Sequence, residues 1–261
     1  MHFEQQLEFL DSLPALPARR ARRARRAAYT QTQSVSDELP IDPNKESGTV
    51  GPDMMNIYVP GVSVQNREDV DNCKLLMQNA ASQKYDMIKE LHQWYKFYTE
   101  GLRNLGWTIN KIYDQNIIIE RTGLTMDAVA FDILQKLVGV NAPRLAELTG
   151  KAVEGVKGED GLIQIYNHNA QKGSQAVFDI SPVWQTREGS PMMILSCTSV
   201  DVRESTRGIL WWKSTTKSTT VKSQATPVYL NTQVYSKVRN KVLEKLGNAA
   251  EAYLDGIPGF Q

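Results

Sequence analysis

The sequence predicts an α+β protein: an antiparallel β-sheet, a meander of about five strands, covered by several amphipathic helices and preceded by an extended N-terminal arm. Three observations predict it. β-branched and aromatic runs separated by turn residues fill 161–231. Apolar residues at helical spacing fill 66–156 and 232–255. Residues 1–65 are instead polar and rich in Pro and Gly, with one dense basic run. The expected organisation is therefore an arm and linker over 1–65 and a single domain over 66–261, its helices covering one face of the sheet.

The arm opens with a short amphipathic stretch from His2 to Leu16, closed by Pro14 and Pro17. Arg19, Arg20, Arg22, Arg23, Arg25 and Arg26 follow, and Tyr29 to Gly61 reads as linker. Asn66, with Asp69 three residues on, is the expected start of the helical part. Val70, Cys73, Leu76/Met77 and Ala80/Ala81 make its first apolar stripe, and Ser82-Gln83-Lys84 its break. Ile88, Leu91, Tyr95, Tyr98, Leu102 and Leu105 are spaced 3, 4, 3, 4 and 3, the period of a helix facing a core. Gly106 ends that helix. In it Trp94, Tyr95 and Tyr98 share a face and are expected to be core, with Phe97 to the side.

Trp107–Ile109 and Asn116–Glu120 read as short strands that join the sheet edge or form their own hairpin. Two helices follow, one capped by Thr125 and stopped at Gly139, the next started by Pro143 in its first turn. The strands expected after them are Leu162–Tyr166, Ala176–Ile180, Met192–Val202 and Ile209–Trp212, with Pro227–Leu230 as an edge segment. Pro182 suits an edge or a bulge. Turn signals every ~8–14 residues leave no room for crossover helices, so neighbouring strands run antiparallel. A last helix is expected from about Thr232 to Leu254.

Composition sets the class. At 261 residues, 41% hydrophobic and 23% charged, the chain is ordinary globular material that can bury a sizeable core. A net charge of +1 excludes a generally basic nucleic-acid binder, so any nucleic-acid contact falls to the arm. No run of about 18 apolar residues exists and no basic-then-apolar leader is present. The expectation is synthesis in the cytoplasm, with release or export by a signal-peptide-independent route. Cys73 and Cys197 read as two reduced, buried thiols. Neither a cofactor nor a metal is expected.

Chemistry-bearing residues are few. Cys197 and His168 are the weak catalytic candidates, a cysteine-dependent hydrolase if the fold brings them within hydrogen-bond reach. In Met193-Leu195-Cys197 the thiol shares a face with two large apolar residues, and there it is also a candidate for acylation as a thioester. Neighbours in a strand point to opposite faces, so one of Trp211 and Trp212 is expected to face outward. Beside Lys213 and Lys217 it makes a candidate contact with a membrane or a partner. The arginine run carries three readings. It neutralises nucleic-acid phosphates. It docks on an anionic membrane surface, at about 1 kcal/mol per basic residue. Or it is a protease-sensitive junction whose cleavage detaches the amphipathic segment upstream.

Gln93-Trp94-Tyr95, Leu105-Gly106-Trp107 and Ile209-Leu210-Trp211-Trp212-Lys213 resemble segments of bacterial proteins without an assigned activity, and that resemblance implies none here. The function expected from the residues is non-enzymatic. It is that of a bacterial interaction or effector protein, a toxin or virulence factor acting at membranes or on a partner protein. The basic arm is its processing, docking or assembly element, and self-association or a protein partner is expected. A structural subunit of a larger assembly and a Cys197-dependent enzyme are the alternatives.

Overall fold

The computed structural model describes residues 3–15, 44–52, 54–109, 115–121, 126–139, 142–157, 175–201, 219–247 and 255–256. In chain order these form α1 (Phe3–Ser12), β1 (Ser47–Gly51), β2 (Met54–Tyr58), α2 (Val64–Lys84) and α3 (Leu91–Asn104). Next come β3 (Trp107–Ile109), β4 (Gln115–Arg121), α4 (Met126–Val138) and α5 (Ala142–Lys157). The chain continues with β5 (Gln175–Gln185), β6 (Pro191–Asp201), β7 (Thr219–Leu230), α6 (Thr232–Tyr235), α7 (Arg239–Leu246) and β8 (Asp255–Gly256).

Local chemistry explains the helix ends. Ser63, extended at φ −61° and ψ 153°, accepts the Asn66 N–H at 3.2 Å, so α2 starts one residue after it and earlier than the Asn66/Asp69 pair suggested. Gly106, at φ 98°, closes α3 where a side chain would be strained. Asn231 caps α6 by accepting the Val234 N–H at 3.1 Å. Over 232–247 the expected single helix is instead two, with Gly247 at φ 54° after the second, and 248–254 lie outside the described residues.

The fold is α+β and its sheet is mostly antiparallel, as the patterning predicted. β5, β6 and β7 form an antiparallel meander, the described part of the roughly five strands expected, and β7 runs over Thr219–Leu230 where the patterning places only Pro227–Leu230 as a strand. β3 and β4 both join along one edge of β7. The strand order is β3-β7-β6-β5-β2-β1-β8, and β2 pairs with β5 in parallel. The long helical excursion between those two strands makes that direction attainable.

Four expectations are corrected. The supposed arm contributes β1 and β2 to the sheet. β2 escaped notice because all five of its residues are buried, which removes the alternation that marks a half-exposed strand. The helices cover both faces: α2, α3 and α7 pack on one, while α4 and α5 pack on the other with Ile180, Ile194, Val221 and Ala225. Pro227–Leu230 is no edge but the end of β7, flanked by β6 and β3. Pro227 falls between the stretches paired with β3 and β4, and among the described residues β7 has no second neighbour there. Pro182 lies inside β5, a strand with partners on both sides. The expected strands Leu162–Tyr166 and Ile209–Trp212 lie outside the described residues.

Candidate functional site

Pro182 has a structural consequence. The β5–β6 ladder runs from Gln175↔Asp201 to Phe178↔Thr198, lapses, and resumes in the same register at Val183↔Met193. Side chains bridge the lapse. The Ile180 N–H donates to Ser196 Oγ at 3.3 Å, and Asp179 Oδ1 accepts the Ser196 hydroxyl at 3.0 Å and the Ser181 hydroxyl at 2.7 Å. Polar side chains thus take over where a ladder interrupted by proline leaves backbone groups unmatched.

From this seam a buried polar chain runs into α2. The Lys74 ammonium, fully buried, sits 2.8 Å from Asp179 Oδ2, a charge contact rather than an aligned hydrogen bond. It donates to Asn56 Oδ1 at 2.5 Å, and Asn56 donates onward to Asp71 Oδ1 at 2.7 Å. That oxygen also accepts the Tyr58 hydroxyl at 2.5 Å and the Thr49 hydroxyl at 2.7 Å. Burial pushes the Asp71 carboxyl up from its ordinary value, opposed by hydrogen bonds from Tyr58, Thr49 and Asn56 and by the Lys74 charge. Burial likewise pushes Tyr58 well up. Arg67, one turn earlier on α2, donates to Ser47 Oγ at 2.7 Å and to the Lys45 carbonyl at 2.8 Å. Asp69 holds Arg239 with two hydrogen bonds of 2.8 and 2.6 Å, tying α2 to α7. Together these contacts lock one helix layer to the sheet, and the charges of Lys74, Asp71 and Asp179 are buried within it.

Both cysteines lie in the same layer. Cys197 is buried with Met193 and Leu195 on the face toward α2 and α3, as the strand pattern suggested. Burial, and then the charge of Asp179, push its thiol far up. Cys73 is pushed up to about 12 by burial, opposed by the nearby Trp107 indole and Tyr235 hydroxyl. Thiols in this state carry almost no thiolate at neutral pH. A cavity of about 10 Å³, the size of one water, opens on the other face of the sheet. It is lined by Ile180, Pro182, Ile194, Ser196 and Thr198 under α4, and Cys197 does not reach it.

The N-terminal helix makes a separate junction. Leu10 and Leu13 are buried in the main core, and Gln6 donates to the Asn104 carbonyl at the end of α3 at 2.7 Å. Lys245 of α7 donates to the Asp11 and Leu13 carbonyls at 3.0 Å each, closing the last turn of α1. Lys241 pairs with Asp11 at 2.8 Å, and its hydrogen bond holds that carboxyl below the usual range. Gln83, at the end of α2, reaches the Ala15 carbonyl at 3.1 Å.

Of the candidate catalytic, acylation, contact and basic-arm residues, Cys197 is described. His168, Trp211, Trp212, Lys213, Lys217 and the six arginines from Arg19 to Arg26 lie outside the described residues. Trp94, Tyr95 and Tyr98 are core, as their spacing implied, and Trp107 of β3 is buried with them. The Lys74–Asp179 chain was missed. Its signal was present: Lys74 continues the apolar row Val70, Met77, Ala81 at helical spacing, a charge where the core face expects none. Among the described residues no helix is long and apolar enough to cross a membrane.

No family model matches the chain, and no curated protein matches it. Among solved structures it is similar to a delta-endotoxin, with TM-score 0.40 and 13% identity over 67% of this chain and 79% of the other. It is also similar to the Evf virulence factor, with TM-score 0.37 and 13% identity over 77% of this chain and 86% of the other. A third similar structure is the activated Cyt2Ba monomer from Bacillus thuringiensis subsp. israelensis, with TM-score 0.37 and 14% identity over 67% of this chain and 96% of that one. Overlaps this partial carry no functional inference for the chain.

Proposed function

We propose that the chain is a non-enzymatic effector of the toxin or virulence-factor kind, acting at a membrane surface, and that α1 is a docked element whose release frees it to act. The docking of α1 carries this reading. Two leucines anchor it, each contributing roughly 1.5–3 kcal/mol before the entropy of ordering the segment is subtracted. Lys245 reaches two of its carbonyls and Lys241 makes a partly exposed ion pair with Asp11, contacts readily exchanged for water. Such a helix is held in place yet removable, and the arginine run that follows it in sequence is a substrate for trypsin-like proteases. The buried state of Cys197 also supports action through surfaces rather than through a thiol.

The test is limited trypsin digestion of the full chain, followed by dye release from vesicles containing anionic phospholipid. The expected result is a stable fragment beginning near Ala27 and leakage that the uncut chain does not cause. A run that resists trypsin, or equal leakage before and after cutting, overturns the reading.

A further inference from the structure

We infer that the seat of α1 is a binding site for an anionic phospholipid, with Lys241 and Lys245 of α7 holding the headgroup once α1 has left. The site rests on the release of α1 proposed above, which uncovers it. What α1 supplies to its seat defines the chemistry. Lys241 meets the Asp11 carboxylate at 2.8 Å, and Lys245 donates to the Asp11 and Leu13 carbonyls at 3.0 Å each. The two lysines stand four residues apart on one flank of α7 and converge on residues 11–13. Beside them Leu10 and Leu13 are buried in the core that also holds Val242 and Leu246. One negative group, two neutral acceptors and two apolar side chains are thus gathered in one place.

A phospholipid such as phosphatidylglycerol brings the same set: phosphate oxygens, ester carbonyls and acyl chains. Lysine offers a compact charge with three rotatable donors, so the pair can exchange a carboxylate and two carbonyls for phosphate oxygens without a fixed fork geometry. Charge favours an anionic occupant. From Phe3 to Ala15 the segment carries Glu4, Glu8 and Asp11 and no basic residue. Docked, it covers the lysines and turns exposed Glu4 and Glu8 toward any anionic surface that approaches. When it leaves, Lys245 gives up the two hydrogen bonds it makes to α1, while Lys241 keeps Glu244 at 3.2 Å. The departure of two buried leucines also uncovers apolar surface, which acyl chains cover and water does not.

The test is co-sedimentation of the trypsin-cut chain with vesicles of phosphatidylglycerol and phosphatidylcholine in equal parts. Lys241→Gln combined with Lys245→Gln should weaken binding about 30-fold, from two lysines at about 1 kcal/mol each and 1.4 kcal/mol per tenfold. Lys241→Arg combined with Lys245→Arg keeps the charge and should restore binding. Lys136→Gln combined with Arg144→Gln removes as much charge from the exposed side of α4 and α5, across the sheet, and should change binding less than about twofold at physiological salt. As a second measurement on the parent alone, a synthetic peptide of residues 3–15 should displace the cut chain from the vesicles. The same peptide with Leu10→Ala and Leu13→Ala should not. A cut parent that ignores these vesicles ends the release reading and this inference with it. A cut parent that binds them, with the glutamine pair at 241 and 245 binding equally well, leaves the release standing and overturns this inference. So does a peptide that binds the cut chain without displacing it, which makes the seat a receptor for acidic helices instead.

Discussion

Replacing Lys74 by Met should unfasten α2 from the sheet. Lys74 is completely buried and compensates Asp179, which is itself 3% exposed and lies at the seam of β5 and β6. Methionine fills a similar volume but leaves the carboxylate without its counter-charge and Asn56 Oδ1 without its donor. Removing one partner of a buried ion pair costs about 3–5 kcal/mol. With a urea slope of about 3 kcal/mol per molar, a cost of 3 kcal/mol lowers the unfolding midpoint by about 1 M. Asp179→Asn should cost a comparable amount by stranding Lys74. The double variant should cost clearly less than the sum of the two singles, with a coupling of about 1–3 kcal/mol. The assay is urea unfolding followed by tryptophan fluorescence, which reports Trp94 and Trp107 in the same core. Additive single effects, or a Lys74→Met midpoint within 0.3 M of the parent on the ~0.5–1 kcal/mol scale of ordinary surface substitutions, would refute the reasoning.

Two further outcomes follow from burial. Cys73 and Cys197 should both resist a thiol reagent in the native chain and react together once urea unfolds it; rapid labelling of Cys197 in the folded state would revive the cysteine-dependent alternatives. Asp71, whose carboxyl is pushed up by burial, favours folding in its neutral form, so its contribution is present below the unfolded carboxylate range and lost as pH rises through the raised value. Asp71→Asn should therefore gain stability relative to the parent between pH 4 and pH 7, read as the difference in urea midpoints; a difference independent of pH would contradict the assignment.

The parts of this fold that were legible in the sequence are those with a clean period and local caps. The stripe from Ile88 to Leu105 placed α3, and Gly106 marked its end. The run from Met192 to Val202 placed β6 and put Cys197 on the correct face. What was not legible depends on partners distant in the chain. β1 and β2 hold few residues; both faces of β2 are covered, which erases its alternation, while β1 (Ser47-Gly48-Thr49-Val50-Gly51) carries a single large apolar side chain. Pro182 signalled an edge because a proline normally interrupts a central ladder. It sits centrally here because Asp179, Ser181 and Ser196 supply the bridging hydrogen bonds. Lys74 reads as an ordinary helix lysine until β5 brings Asp179 beside it. The Lys245 contacts that hold α1 likewise join the two ends of the described chain, and no local pattern encodes them.

The release of α1 can be tested by preventing it. Asp11→Cys and Lys241→Cys, whose native side chains meet at 2.8 Å, can be joined by a short, reducible bismaleimide while the buried native thiols stay silent. Cut with trypsin, the tethered protein should leave anionic vesicles intact until a reductant frees the helix, and then cause leakage. Leakage at full rate with the tether still closed would contradict the account.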